Sequence, residues 1–66
     1  MISEKELRAA MHELNNVFTI VISSADLVLL DLPLDNPLRP DIENILNACT
    51  KGCTLIEQIR SKVLNP

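Results

Sequence analysis

Tryptophan and tyrosine are absent from this chain of 66 residues, and phenylalanine occurs once, at Phe18. No aromatic cluster can anchor a core. Two cysteines and one histidine offer no evident disulfide framework or metal site in its place. Basic residues are few as well: six Lys and Arg stand against nine Asp and Glu, for a net charge of -3. They are scattered, which argues against a nucleic-acid footprint and against a polybasic membrane anchor. The first residues lack the basic start and apolar run of a secretory signal. The most apolar stretch, Val17 to Leu34, is interrupted by Ser23, Ser24, Asp26, Asp31 and Pro33, a pattern that a bilayer core tolerates poorly. The expected location is the cytoplasm, with no nucleic-acid partner and no membrane contact by this segment.

What is present is aliphatic. Hydrophobic residues make up 47% of the chain, mostly Leu, Ile and Val. The length allows one domain, residues 1–66. A monomer this small buries too little surface to be comfortably stable. So high an apolar fraction in so short a chain points to burial against a second copy, and a homodimer is expected.

The pattern of those residues predicts an all-α fold. Ser3 and Glu6 have the spacing of a capping box, which starts a helix. Apolar residues then recur at Leu7, Met11, Leu14, Phe18, Val21, Ala25, Val28 and Leu32, in alternating steps of four and three. Ala10, Val17, Ile22 and Leu29 widen this seam to bundle width. The β-branched run Thr19-Ile20-Val21-Ile22 favours a strand locally, but the seam runs through it unbroken. Pro33 ends the first helix and disfavours helical geometry at Leu32. Asn36 and Pro37 suit the start of a second helix, although Pro40 leaves its beginning open between Pro37 and Asp41. The second seam runs Ile42, Ile45, Cys49, Gly52, Ile56, Ile59, Val63. Helix 1 is therefore expected over about 3–31, a turn over 32–37 and helix 2 over 38–64. A short turn makes the two antiparallel. One hairpin leaves half of each stripe in water, and two hairpins close a four-helix bundle.

Two details stay open at this level. Cys49 and Cys53, four apart, share a helix face. They are either small buried apolar residues or a disulfide or half metal site, and the burial habit of free cysteine favours the first. Gly52 in mid-helix costs about 1 kcal/mol relative to alanine; it marks either a close helix approach or simple tolerance.

The chemistry lies beside the seam. His12, Asn16, Thr19, Ser23 and Asp26 follow at four, three, four and three, flanked by Asn15. A merely solvated face would favour Lys and Glu over these poorer helix formers. Local cost without structural gain marks functional positions. His12 is the one histidine, and a neutral imidazole is a competent nucleophile. Glu13, next to it, is the carboxylate that could fix its tautomer. Asn16, one turn on, could orient a water or a phosphoryl oxygen without repelling it.

The run His12-Glu13-Leu14-Asn15-Asn16-Val17-Phe18-Thr19-Ile20-Val21 resembles the phosphoacceptor motif of two-component sensor histidine kinases. It is most similar to the subgroup reading His-[Asp/Glu]-[Phe/Leu]-Asn-Asn. The resemblance continues through a proline-containing turn and a second helix ending near Ile59, so it covers nearly the whole chain. It implies a dimerisation and histidine-phosphotransfer domain of the HisKA-like kind. His12 would take the phosphoryl group, Glu13 would assist its transfer, and Asn16 would hold the water that dephosphorylates the regulator. Asn15 matches the motif without an assigned role. The commoner Arg-Thr-Pro is replaced here by Asn15-Asn16-Val17, so helix 1 should bend less after His12.

The resemblance also implies partners. Such kinases bind ATP and Mg in a separate domain with Asn- and Gly-containing boxes; this chain has a single Gly and no room for it. No cofactor is expected on this chain, and an ATP-binding kinase domain is expected in cis or in trans. The chain is either a fragment of a sensor kinase or a stand-alone phosphotransfer module. His12 would pass its phosphoryl group to an Asp of a response-regulator receiver domain. The rival reading is a structural helical homodimerisation module without chemistry. It accounts for the seams but not for the Asn-rich stripe around His12.

Overall fold

A computed structural model describes residues 1–63. It contains two helices, α1 (Glu4–Asp31) and α2 (Arg39–Val63), packed against each other as a hairpin, and no strand among the described residues. The expectation that helix 2 reaches Leu64 lies outside the described residues.

The helix ends follow from local chemistry. Ser3, in extended geometry, accepts the Glu6 amide on its hydroxyl at 3.1 Å, and the Glu6 carboxylate accepts the Ser3 amide at 3.3 Å. This capping box satisfies two otherwise orphaned donors. At the far end, Pro33 forces Leu32 out of helical geometry, to φ -79 and ψ 132. α1 has no basic residue in its own last turn. Arg39 supplies the charge from the next helix: its guanidinium donates to the carbonyls of Leu29 and Leu32, each at 3.0 Å. A cation on terminal carbonyls complements the negative end of the helix dipole.

The connection is tied by Asn36. Its amide donates to the Pro33 carbonyl at 3.0 Å, and its side-chain oxygen accepts the Leu38 amide at 2.9 Å. Pro40 falls within the first turn of α2, where no amide is needed for the helical ladder.

The contact between the helices is narrow. Met11, Ala25 and Ile56 are buried, and Leu7 and Phe18 pack on the Met11–Ile56 pair. Leu46, Cys49, Gly52 and Cys53 are half-buried on α2. Both cysteines are free thiols. Gly52 accommodates a close approach: a Cβ built there would lie 2.9 Å from the tip of the Phe18 ring, which would have to shift.

The single hairpin splits the seams expected from the sequence. Leu14, Val17 and Val28 of α1 are exposed, as are Ile45, Ile59 and Val63 of α2. Residues advance about 100° around a helix. On antiparallel helices this places both sets on the same side of the hairpin. The molecule is a rod of 47 × 17 × 16 Å, with a radius of gyration of 15.2 Å. A compact chain of this length would have a radius near 11 Å. Its accessible surface is 5168 Å², against about 4,200 Å² for a compact protein of this mass. By length and composition alone, α1 is also long and apolar enough to cross a bilayer.

Candidate functional site

His12 sits on the exposed side of α1, two turns beyond the capping box. It borders an open cleft of about 500 Å³ lined by Lys5, Arg8, Ala9, Met11, His12, Asn15 and Arg60. The first six come from α1 and Arg60 from α2. Met11 forms the apolar floor, being part of the buried pair with Ile56. The cleft lies on the other side of the hairpin from the apolar flank of Leu14, Val17 and Val28.

The polar stripe is not uniform in its use. Asn15 is half-buried at the cleft. Thr19 donates its hydroxyl to the Asn15 carbonyl at 2.8 Å, so that group is engaged with its own helix. Ser23 and Asp26 are exposed farther toward the turn. Asn16 is exposed one turn beyond His12 and outside the cleft lining. Glu13 is exposed too; adjacent helix positions do not face each other, and no hydrogen bond joins Glu13 to His12 among the described residues. The cleft thus brings His12 together with Asn15, and it does not include Glu13 or Asn16.

Three cations complete the cleft, although in the sequence the six Lys and Arg are scattered. Arg8 and Lys5 precede His12 by four and seven residues, a helical spacing that was available in the sequence. Arg60 was not legible that way, since it reaches the site only through the register in which α2 packs on α1. Arg8 pairs with Glu4 at 3.2 Å and Arg60 with Glu57 at 3.4 Å. All four side chains are largely in water, so these pairs are weak. Among the described residues no cluster of three or more His, Cys, Asp or Glu could hold a metal ion. The arrangement presents one exposed imidazole at the edge of a cationic cleft on a rigid helix.

No family model and no solved structure matches the chain. The chain is similar to the sensor kinase CckA of Brucella abortus (strain 2308), with 36% identity over 59 residues. That match covers 83% of this chain and 6% of the relative's length. The similarity runs through most of the hairpin and supports a segment of a sensor kinase.

Proposed function

We propose that this hairpin is the dimerisation and phosphoacceptor module of a two-component sensor histidine kinase, with His12 as the phosphorylated residue. The observation that carries the proposal is an exposed imidazole within the His12-Glu13-Leu14-Asn15-Asn16 run of a chain similar to a sensor kinase. A separate kinase domain, in cis or in trans, supplies ATP and Mg. An imidazole nitrogen of His12 attacks the γ-phosphorus, an N–P bond forms, the bridging P–O bond breaks and ADP leaves. The phosphoryl group then passes to an Asp of a response-regulator receiver domain, restoring the imidazole. Glu13 assists the first transfer from the helix surface. Asn16 holds the water that attacks the regulator's phosphoryl group. The module works in the cytoplasm, without membrane contact.

The dimer is supported by surface. The rod exposes about 1,000 Å² more than a compact protein of its mass would. That excess is close to the ~800 Å² that each partner buries in a standard interface. The apolar flank of Leu14, Val17, Val28, Ile45 and Ile59 is where a second copy packs to complete a four-helix bundle. A structural dimerisation module without chemistry shares this flank but leaves His12 idle.

Phosphorylation separates the two. Incubated with a cognate kinase domain and ATP, the chain should gain one acid-labile, base-stable phosphoryl group. His12→Ala should lose it completely while keeping its helicity, because His12 is exposed and its truncation opens no core cavity. Phosphate acceptance that survives in His12→Ala would remove His12 from the mechanism.

A further inference from the structure

The fold gathers three of the chain's six Lys and Arg around His12, and among the described residues no carboxylate lines the cleft they form. On a molecule of net charge -3, this is a local reversal of sign. Glu4 and Glu57 each touch one guanidinium nitrogen of Arg8 and Arg60. A guanidinium carries five N–H donors, so both keep donors free for an anion. Lys5 has no ion pair among the described residues. Side chains on a helix lean toward its N-terminus. The His12 imidazole therefore leans toward Arg8 and Lys5, and Arg60 closes the cleft from α2.

We propose that Lys5, Arg8 and Arg60 form a phosphoryl-binding cup that holds the phosphoryl group while it is attached to His12. The inference rests on His12 being the phosphoacceptor. A phosphoryl group brings about -1.5 to -2 charges and three acceptor oxygens. Arginine forks meet such oxygens in bidentate fashion. The same cup raises the local concentration of an anionic donor. It faces away from the apolar flank and stays open when that flank is covered. Free phosphate presents the same chemistry, so the test must tell a bound anion from a covalent one.

Phosphoramidate, a small donor to imidazoles, provides that test on the chain without any kinase. The His12 nitrogen attacks phosphorus, the new N–P bond forms, the donor's P–N bond breaks, and ammonia leaves carrying the proton that imidazole gives up. The formation of phosphohistidine is followed by ³¹P NMR, and the arginine Nε–H signals are recorded before and after. Loading should slow by about two- to fivefold in Lys5→Gln, Arg8→Gln or Arg60→Gln, and by roughly tenfold in the triple variant. The slowing should shrink in high salt, where exposed charges are screened. Lys51→Gln/Lys62→Gln removes two charges outside the cleft and should load as the unmodified chain does. Phosphorylation of His12 should shift the Arg8 and Arg60 signals. A triple variant that loads at the full rate with unshifted arginines overturns the cup and leaves the phosphoacceptor standing. An unmodified chain that never loads overturns both. Arginine signals that respond to inorganic phosphate in His12→Ala, but not to phosphorylation of His12, make the cleft a site for free phosphate and also overturn the assignment.

Discussion

The two sides of the hairpin are built from the same two helices and could hardly be less alike. One side presents Leu14, Val17 and Val28 beside Ile45, Ile59 and Val63, all exposed. The other presents His12 and Asn15 with Lys5, Arg8 and Arg60. The apolar side gains from being covered, since each of these half-exposed aliphatic side chains forfeits roughly 1 kcal/mol of burial. The polar side would lose by being covered, because its cations and amides would need new partners. The proposed function divides labour along this difference: association on one side, chemistry on the other, and a thin seam between them.

The sharpest way to break this division is to charge the apolar side. Leu14→Asp together with Ile59→Asp would bury four carboxylates per dimer. We expect the loss of roughly 4 kcal/mol or more of stability, seen as a monomer of low helicity in sedimentation and circular dichroism. The unmodified chain should melt at temperatures that rise with its concentration, since folding and association are coupled. A folded monomer with a concentration-independent melt would show that the apolar side needs no second copy.

On the polar side, the two asparagines sharpen the comparison. Asn16 is exposed and free to reach a partner, whereas Asn15 is half-buried at the cleft. Asn16→Ala should leave the loading of His12 intact and slow regulator dephosphorylation. By analogy with a lost oxyanion-hole donor, the cost is about 2.7–4 kcal/mol, a hundredfold or more in rate. Asn15→Ala should act on loading instead. Phosphate release from a phosphorylated receiver domain checks the first, and the rate of phosphohistidine formation on the chain checks the second. Equal release by the unmodified chain and Asn16→Ala, with the former clearly active, would take Asn16 out of the mechanism.

Much of the hairpin was legible from spacing and punctuation. The Ser3–Glu6 pair and Pro33 mark the ends of α1 because capping and proline geometry act over three or four residues. The division of the apolar positions was not legible. A strict alternation of four and three names every residue that some neighbour covers, without saying which neighbour. Ile45 and Ile59 therefore stood in one seam with Ile56, although only Ile56 is buried within the hairpin. The motif around His12 singles it out in the sequence, whereas the place of Arg60 beside it depends on the register between helices and is not legible there.

Arg39 is a second residue of that kind, and it holds the turn end of both sides together. Its guanidinium closes the carbonyls of Leu29 and of the C-cap Leu32 and pairs with Glu43 at 3.4 Å, with 22% of its side chain exposed. Arg39→Ala should cost about 1.5–3 kcal/mol, the range for hydrogen bonds to a charged group. Urea denaturation at fixed protein concentration measures it. Arg39→Lys should recover only part, since an ammonium lacks the planar fork.

The smallest effect tests the seam itself. Glycine in mid-helix costs about 1 kcal/mol relative to alanine, so Gly52→Ala would stabilise α2 if nothing stood opposite. Phe18 does stand opposite: the new Cβ would meet three of its ring atoms at 2.9, 3.2 and 3.3 Å. The ring must retreat, and overpacking of this kind costs about 1–3 kcal/mol. The two terms oppose each other, and Gly52→Ala should come out destabilising by about 1 kcal/mol. Shortening the opposite side chain reverses the sign. In a Phe18→Leu background the contact is relieved, and Gly52→Ala should then stabilise by up to about 1 kcal/mol. The coupling between the two sites is the quantity to measure, by urea denaturation of all four proteins at one concentration. An identical effect of Gly52→Ala in both backgrounds would mean that the ring does not select the glycine. A change of sign would identify the Phe18 ring as the group that selects glycine at position 52.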